Sequence, residues 1–142
     1  METDDAAKVL IAEERRKQAK KDKAQSKEDL FDFQLRAHRL PPFVRWHKFA
    51  LETHQRRFEF DFCNTQYMIA VEVEGLVVVR IGGETVVKGR HASISGFKED
   101  CIKYAIAAEL GWTVLRFEQS QVKDGTAIDM TMRVLYARGW RR

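Results

Sequence analysis

The sequence contains few cysteines, the residues whose disulfides or zinc sites stabilise small secreted domains. Only two cysteines occur in its 142 residues, Cys63 and Cys101, and they form no CxxC pair. Because disulfide frameworks and cysteine zinc sites need several cysteines at short spacings, we expect neither of them here. With 44% hydrophobic and 11% aromatic residues, the chain has enough apolar side chains to form a core without disulfides or a bound zinc ion.

Long hydrophobic runs are also missing. Runs such as Gly75–Val79 have only five residues, whereas a membrane span needs about 18. The N-terminus is charged from residue 2 onward and has no apolar leader pattern. We therefore expect a cytoplasmic protein in a reducing compartment, with no membrane as a partner.

The first third of the chain predicts helices. Residues 1–25 are charged, rich in alanine and free of glycine and proline, which favours a solvated helical extension. A second helix is expected to begin at Ser26, which forms an S-x-x-D capping pattern with Asp29, and to stop before Pro41-Pro42. The chain is thus predicted to consist of an extension, residues 1–25, and a folded domain, residues 26–142.

Two alternating segments in the middle of the chain predict neighbouring strands. Phe58–Phe62 alternates with its three phenylalanines on one face, and Met68–Glu74 alternates again after a turn at residues 64–66. Gly82-Gly83 is expected to form the tip of a further hairpin.

The last third predicts helix, strand and helix. We expect Ser95 to cap a helix that ends near Gly111, then a strand over 112–117 and a last helix from about Ser120. The residues expected to face inward are Phe97, Cys101, Tyr104, Ala105 and Ala108 in the first helix and Ile128, Met132, Leu135 and Tyr136 in the last. Because a strand–helix–strand passage requires a parallel pair, we predict an α/β fold: a mixed central β-sheet flanked by helices.

Three carboxylates are unusual for the strands that carry them. Asp61 lies between phenylalanines although Asp is a poor strand former, and Glu72 and Glu74 follow a run apolar enough to be central. If the two strands pair, the three side chains converge, and like charges raise one another's pKa unless a cation neutralises them. Such oxygen ligands suit Mg²⁺ or Mn²⁺, which can activate water for attack on a phosphodiester. The ordinary alternative is a solvated sheet face.

The order of these residues resembles the core of the PD-(D/E)XK nucleases. Asp61, ten intervening residues and Glu72-Val-Glu74-Gly are similar to the acidic part of that motif. The continuation resembles small endonucleases of the very-short-patch-repair type, and compact phage endonucleases and archaeal-type Holliday junction resolvases are similar at the level of the core. The residues of this chain that form the continuation are His91, Asp100, Lys103 and Gly111-Trp112-Thr-Val-Leu-Arg116-Phe117.

The resemblance covers roughly residues 26–135 and implies a restriction-endonuclease-like core. The implied activity is that of a Mg²⁺- or Mn²⁺-dependent endodeoxyribonuclease in a bacterial or phage-infected cell. Its substrate would be branched or structured DNA, as for a Holliday junction resolvase, and the implied metal ligands are Asp61, Glu72 and Glu74.

Glu74 stands where the family usually has a lysine, two positions after the first Glu. Lys103 is the candidate replacement, and the alternative for it is a solvated charge paired with Glu99 at i,i+4. Lys88 and Arg90 are further candidates. The remaining predicted catalytic residues are Glu28, which would reach the metal from its helix or merely complement the helix dipole, and His91, which would contact the scissile phosphate or lie on the surface.

Basic side chains interleaved with aromatic ones flank the acidic residues, which suits a nucleic-acid backbone. Arg116 has three possible roles: bracing the carboxylates, holding a phosphate, or emerging at a sheet edge. The predicted nucleic-acid-binding residues are Arg36, Arg45, Lys48, Arg56, Arg57, Lys88, Arg90 and Arg116. We expect DNA as the partner and a homodimer with the N-terminal helix as dimer arm. The alternatives are a non-catalytic DNA-binding protein on a nuclease-like fold and, more weakly, an RNA-directed enzyme.

Overall fold

The computed structural model describes residues 2–75, 77–88 and 93–142, with the side chains of residues 12–19, 28–75, 80–86 and 93–142. The elements run in the order α1 (Glu2–Ala37), β1 (Val44–His47), α2 (Leu51–His54), β2 (Phe60–Asn64), β3 (Ile69–Glu74), β4 (Val77–Ile81), β5 (Glu84–Lys88), α3 (Ile94–Glu109), β6 (Thr113–Glu118), α4 (Gln119–Lys123) and α5 (Thr126–Ala137).

The central sheet is mixed, as the sequence predicted. Its strand order is β1-β2-β3-β6, with β1, β2 and β3 antiparallel and β6 parallel to β3. β4 and β5 form a separate hairpin, whose turn is at the predicted Gly82-Gly83. β1 and β6 are therefore the edges of the central sheet within the described residues.

Helices cover both faces of the sheet, which confirms the predicted layers. On one face Phe31 and Leu35 of α1 pack with Phe62, Val71 and residues of α4 and α5. On the other face Ala107 of α3 packs with Cys63, Ala70 and Phe60. We call these the α1 face and the α3 face. They carry side chains of alternate residues of β3, so that Val71 and Val73 lie on the α1 face and Ala70 on the α3 face.

The N-terminal helix is longer than predicted. α1 continues from Glu2 to Ala37 without a break, so the start predicted at Ser26 is wrong. Because no glycine or proline occurs between residues 2 and 40, continuing the helix through a single serine costs less than ending it. No helix in the described part of the chain combines the length and the apolar content needed to cross a membrane.

The face that α3 presents to the sheet differs from the prediction. Ser93, not Ser95, caps the helix, and the buried residues are Asp100, Lys103 and Ala107. Phe97, which was expected to be inward, is 63% exposed. Cys101, Ala105 and Ala108 are exposed as well and Tyr104 is half-buried. The apolar pattern failed because polar residues of α3 have partners on the sheet.

The last helix is divided in two. Its predicted start at Ser120 falls in α4, and α5 follows after a turn at Gly125, which has φ 88°. Ile128 and Leu135 are buried as predicted, Met132 is half-buried, and Tyr136 is 40% exposed.

The phenylalanines of β2 do not share one face, which corrects a further prediction. Phe60 packs on the α3 face, with its ring stacked 3.9 Å from that of Phe49, whereas Phe62 packs on the α1 face against Phe31. The opposite strand changes face at the same level, because Trp46 has φ 54° between regularly paired Arg45 and His47. The alternation of both strands is thus broken where Asp61 lies.

We expect substitutions in α3 to reveal its true inner face. Ala107→Leu should lower the free energy of unfolding by roughly 1–3 kcal/mol, because the added side chain overpacks a buried position. The matched exposed variant Ala105→Leu and Phe97→Ala should each stay within about 0.5 kcal/mol of the wild type. Urea unfolding measures all three. A large loss for Phe97→Ala alone would instead support the apolar face that the sequence pattern predicted.

Candidate active site

Asp61 and Glu72 lie where the ladder between β2 and β3 ends. Asn64 pairs with Ile69 at one end of this ladder and Phe62 pairs with Val71 at the other. The next pair in the same register would be Asp61 with Glu72. At that step the carboxylate of Asp61 accepts a hydrogen bond from the backbone N–H of Val73, with 2.8 Å between Oδ2 and N. A side chain thus replaces the strand backbone as the partner of β3.

Lys103 of α3 reaches Glu72 in the interior. Its Nζ is 2.6 Å from Oε1 of Glu72, and the two residues are only 6% and 7% exposed. The ammonium also lies 5.7 Å from the ring centroid of Phe60 and 5.6 Å from that of Tyr104. Since Glu99 pairs with Arg56 instead, at 2.7 Å, the solvated pairing of Lys103 with Glu99 is excluded.

Arg116 braces the third carboxylate from the edge strand β6. Its Nε donates to Oε1 of Glu74 at 2.8 Å, its Nη2 is 3.8 Å from Oδ2 of Asp100, and its guanidinium stacks 4.4 Å from the ring centroid of Tyr104. Arg116 thus contacts the carboxylates of Glu74 and Asp100 from a sheet edge, and its predicted contact with a phosphate stays a prediction.

Glu28 approaches Asp61 from the opposite helical layer. It forms an ion pair with Arg45 of β1, whose Nη1 is also 3.3 Å from Oδ1 of Asp29. Its negative charge is one of the influences that raise the pKa of Asp61. Asp61 is therefore influenced both by Glu28 on the α1 face and by Lys103 on the α3 face.

Burial changes the protonation of the two central carboxylates. It raises the pKa of Asp61 to about 6, against the hydrogen bond from Val73, and Glu28 adds to the rise. It also raises the pKa of Glu72 to about 7, although Lys103 lowers it. Burial raises the pKa of Tyr104 too. Both carboxylates thus lie where an additional cation would be favourable.

The predicted metal ligands do not form one cluster of three. Among the described residues, no group of three or more His, Cys, Asp or Glu side chains is arranged to hold a metal ion. Oxygens of Glu72 and Glu74 are engaged by Lys103 and Arg116. The carboxylates of Asp61 and Glu72 nevertheless have the donor chemistry that Mg²⁺ or Mn²⁺ prefers, since both are oxygen ligands with raised pKa values.

The predicted nucleic-acid-binding residues are in different situations. Arg45, Arg56 and Arg116 are bound to carboxylates, and Arg36 pairs with Asp32 at 2.9 Å on the surface. Lys48 and Arg57 are exposed. Arg90, the predicted catalytic residue His91 and the side chain of Lys88 lie outside the described residues.

Two parts of this site were missed by the sequence analysis. The pairing of Arg45 with Glu28 joins residues 17 apart in the chain, so no local pattern indicates it. The inward side of α3 did have a signal, because Asp100, Lys103 and Ala107 recur at a helical spacing of three and four. A search for polar helix positions that match polar strand positions would have found it.

Comparisons with known proteins identify no relative: no family model, no curated protein and no solved structure matches the chain.

We expect the protonation of Asp61 to appear in the pH dependence of stability. Its folded pKa is about 6 and its ordinary value 3.8, so the folded state holds a proton that the unfolded state releases. This contribution to stability is complete below about pH 4 and is lost as the pH rises through 6. Asp61→Asn, which keeps the acceptor for Val73, should therefore gain roughly 1–3 kcal/mol of unfolding free energy relative to wild type across this window.

Urea unfolding at a series of pH values measures this difference. Asp129→Asn, an exposed aspartate of α5, is the matched control. If the unfolding free energies of both variants differ from that of the wild type by the same constant amount between pH 4 and 7, Asp61 carries no such proton.

Proposed function

We propose that this chain is a metal-dependent endonuclease that hydrolyses phosphodiester bonds in DNA, on a core of the PD-(D/E)XK type. The observation that carries the proposal is the meeting of Asp61 and Glu72 at the end of the β2–β3 ladder, with Lys103 at Glu72. The order of these residues in the sequence adds support. The likeness to resolvases suggests branched or structured DNA and a homodimer.

The chemistry assigns distinct roles to the residues of this site. Asp61 and Glu72 would hold Mg²⁺ or Mn²⁺, and the bound ion would supply an activated water and shield charge on the phosphate. Lys103 favours the ionised form of Glu72 and holds its carboxylate through the 2.6 Å contact with Oε1. Arg116 fixes the position of Glu74 through Oε1, and Glu74 would orient the water or bind a second ion.

The surroundings of the site suit a polyanionic substrate. The chain carries 25 lysines and arginines against 21 acidic residues, and Lys48 and Arg57 are exposed on the segments that flank β2. Exposed cations can bind the phosphate backbone while the carboxylates act at one phosphate.

A non-catalytic DNA-binding protein is the second candidate. It is favoured by the two ion pairs that engage Glu72 and Glu74 and by the lack of a three-residue ligand cluster among the described side chains. Calorimetric titration with Mn²⁺ separates the candidates. If Lys103 and Arg116 already neutralise the carboxylates, the site binds no ion, as the non-catalytic candidate requires.

We expect Asp61→Asn and Glu72→Gln each to reduce Mn²⁺-dependent cleavage by about 10²–10³-fold or more, because each removes one charge from the group that would hold the ion. The assay uses labelled four-way, nicked and linear DNA, with and without Mn²⁺. Glu59→Gln, an exposed glutamate two residues before Asp61, is the control and should cut like wild type.

Two outcomes would contradict the endonuclease proposal. One is the absence of cleavage on every substrate by the wild type, which favours the binding protein if the DNA is still retained. The other is undiminished cleavage by both variants, which would point to a contaminating nuclease.

We expect Lys103→Met to move the acidic limb of the pH–rate profile to higher pH at subsaturating Mn²⁺. The ammonium lowers the pKa of Glu72, so without it a higher pH is needed to ionise this carboxylate. Lys103→Arg retains the charge and should keep the limb near its wild-type position. A limb that stays in place in Lys103→Met would show that Glu72 is not the group that titrates.

A further inference from the structure

We propose that Trp46 selects the substrate of this site by stacking on a base next to the scissile phosphate. The preferred DNA would therefore have an unpaired base at the position of cleavage. This inference rests on the proposed endonuclease function and specifies its substrate class.

Trp46 is the cross-strand neighbour of Asp61. The pairs Arg45–Phe62 and His47–Phe60 on either side of it set Trp46 opposite Asp61 in the β1–β2 ladder. Directly opposed residues of antiparallel strands have Cα atoms about 5 Å apart. A base held by this indole would thus lie within one nucleotide of a phosphate at the carboxylates.

The backbone at Trp46 is held in a conformation that large side chains rarely adopt. Its φ is 54° in the middle of a paired strand, in the left-handed region that is unfavourable for a residue with a bulky side chain. The side chain is 52% exposed. Burial in the core therefore does not explain its position, and the other two tryptophans are buried or half-buried.

Arg45 fixes the orientation of the indole. Its guanidinium carbon lies 4.3 Å from the Trp46 ring centroid and 5.2 Å from that of Phe62, and its ion pairs with Glu28 and Asp29 hold it to α1. One side of the indole is thus supported by a cation, while more than half of the residue remains in solvent. Proteins that bind unpaired bases stack them on exposed aromatic rings whose orientation is already fixed.

An exposed cation near Trp46 suits a nucleic acid as the partner of this ring. Lys48, two residues further on, is exposed, so a phosphate following the stacked base would find a cation. Duplex DNA hides the faces of its bases, whereas single strands and flaps expose them.

The test compares Trp46→Ala and Trp46→Phe with the wild type in two assays. In metal-free buffer, the fluorescence anisotropy of a labelled oligonucleotide measures binding of a single strand, a flap and a matched linear duplex. In Mn²⁺, cleavage of flap DNA is measured relative to linear duplex. Tyr136→Ala is the matched control, because Tyr136 is a 40% exposed aromatic that packs with Trp140, away from Asp61.

We expect Trp46→Ala to lose roughly tenfold in affinity for the single strand and the flap, as removal of one base–aromatic stack does, with duplex affinity unchanged. Its cleavage preference for flap DNA over linear duplex should fall by a similar factor. Trp46→Phe and Tyr136→Ala should both remain close to wild type.

The outcomes separate this inference from the proposed function. If the wild type cuts DNA and Trp46→Ala keeps its affinities and its cleavage preference, the role of Trp46 is wrong and the endonuclease stands. If the wild type cuts no DNA, the endonuclease and the substrate selection that depends on it are both overturned. Equal losses in Trp46→Ala for duplex and single strand would also overturn the inference, because stacking on an unpaired base cannot cause them.

Discussion

The ion pair between Lys103 and Glu72 is the contact on which the arrangement of this site depends. Both residues are buried, and a charge buried without a partner costs several kcal/mol, so neither can stay in the interior alone. The pair fixes the rotation of α3, because Lys103 must point at β3. Asp100 and Ala107 follow it inward, and Phe97 is turned to solvent. Polar complementarity thus determines the docking of α3, although the helix carries enough apolar residues for a different face.

Negative charge in the site is compensated one carboxylate at a time. Three ion pairs each neutralise one carboxylate: Glu28 pairs with Arg45, Glu72 with Lys103 and Glu74 with Arg116. Asp61 differs from these residues, because its described hydrogen-bond partner is the backbone N–H of Val73 and not a cationic side chain. A divalent ion at Asp61 would supply the compensation that the surrounding side chains give to the other carboxylates.

Sequence patterns predicted the parts of this fold that follow from periodicity and failed where contacts are distant in sequence. The alternation of Met68–Glu74 and the passage from β3 through α3 to β6 were sufficient to predict a mixed sheet with one parallel pair. Asp61 and Glu72 could be selected because acidic residues are unusual in such strands. The face of α3 could not be predicted from its apolar residues, and the pairing of Arg45 with Glu28 joins residues too far apart in sequence for any local pattern.

The break in alternation explains why the candidate site can be reached from both helical layers. If β1 and β2 alternated regularly, the side chain of Asp61 would lie on one face and meet the groups of a single layer. Instead both strands keep their register and change face at Trp46 and Asp61. Glu28 from one layer and Lys103 from the other therefore both act on the same carboxylate. The left-handed backbone of Trp46 is a cost of this crossing, and it also leaves an aromatic ring in solvent opposite Asp61. Strain, charge and exposure thus coincide at one level of the sheet, which is why both of our proposals, on the chemistry and on the choice of substrate, concern this level.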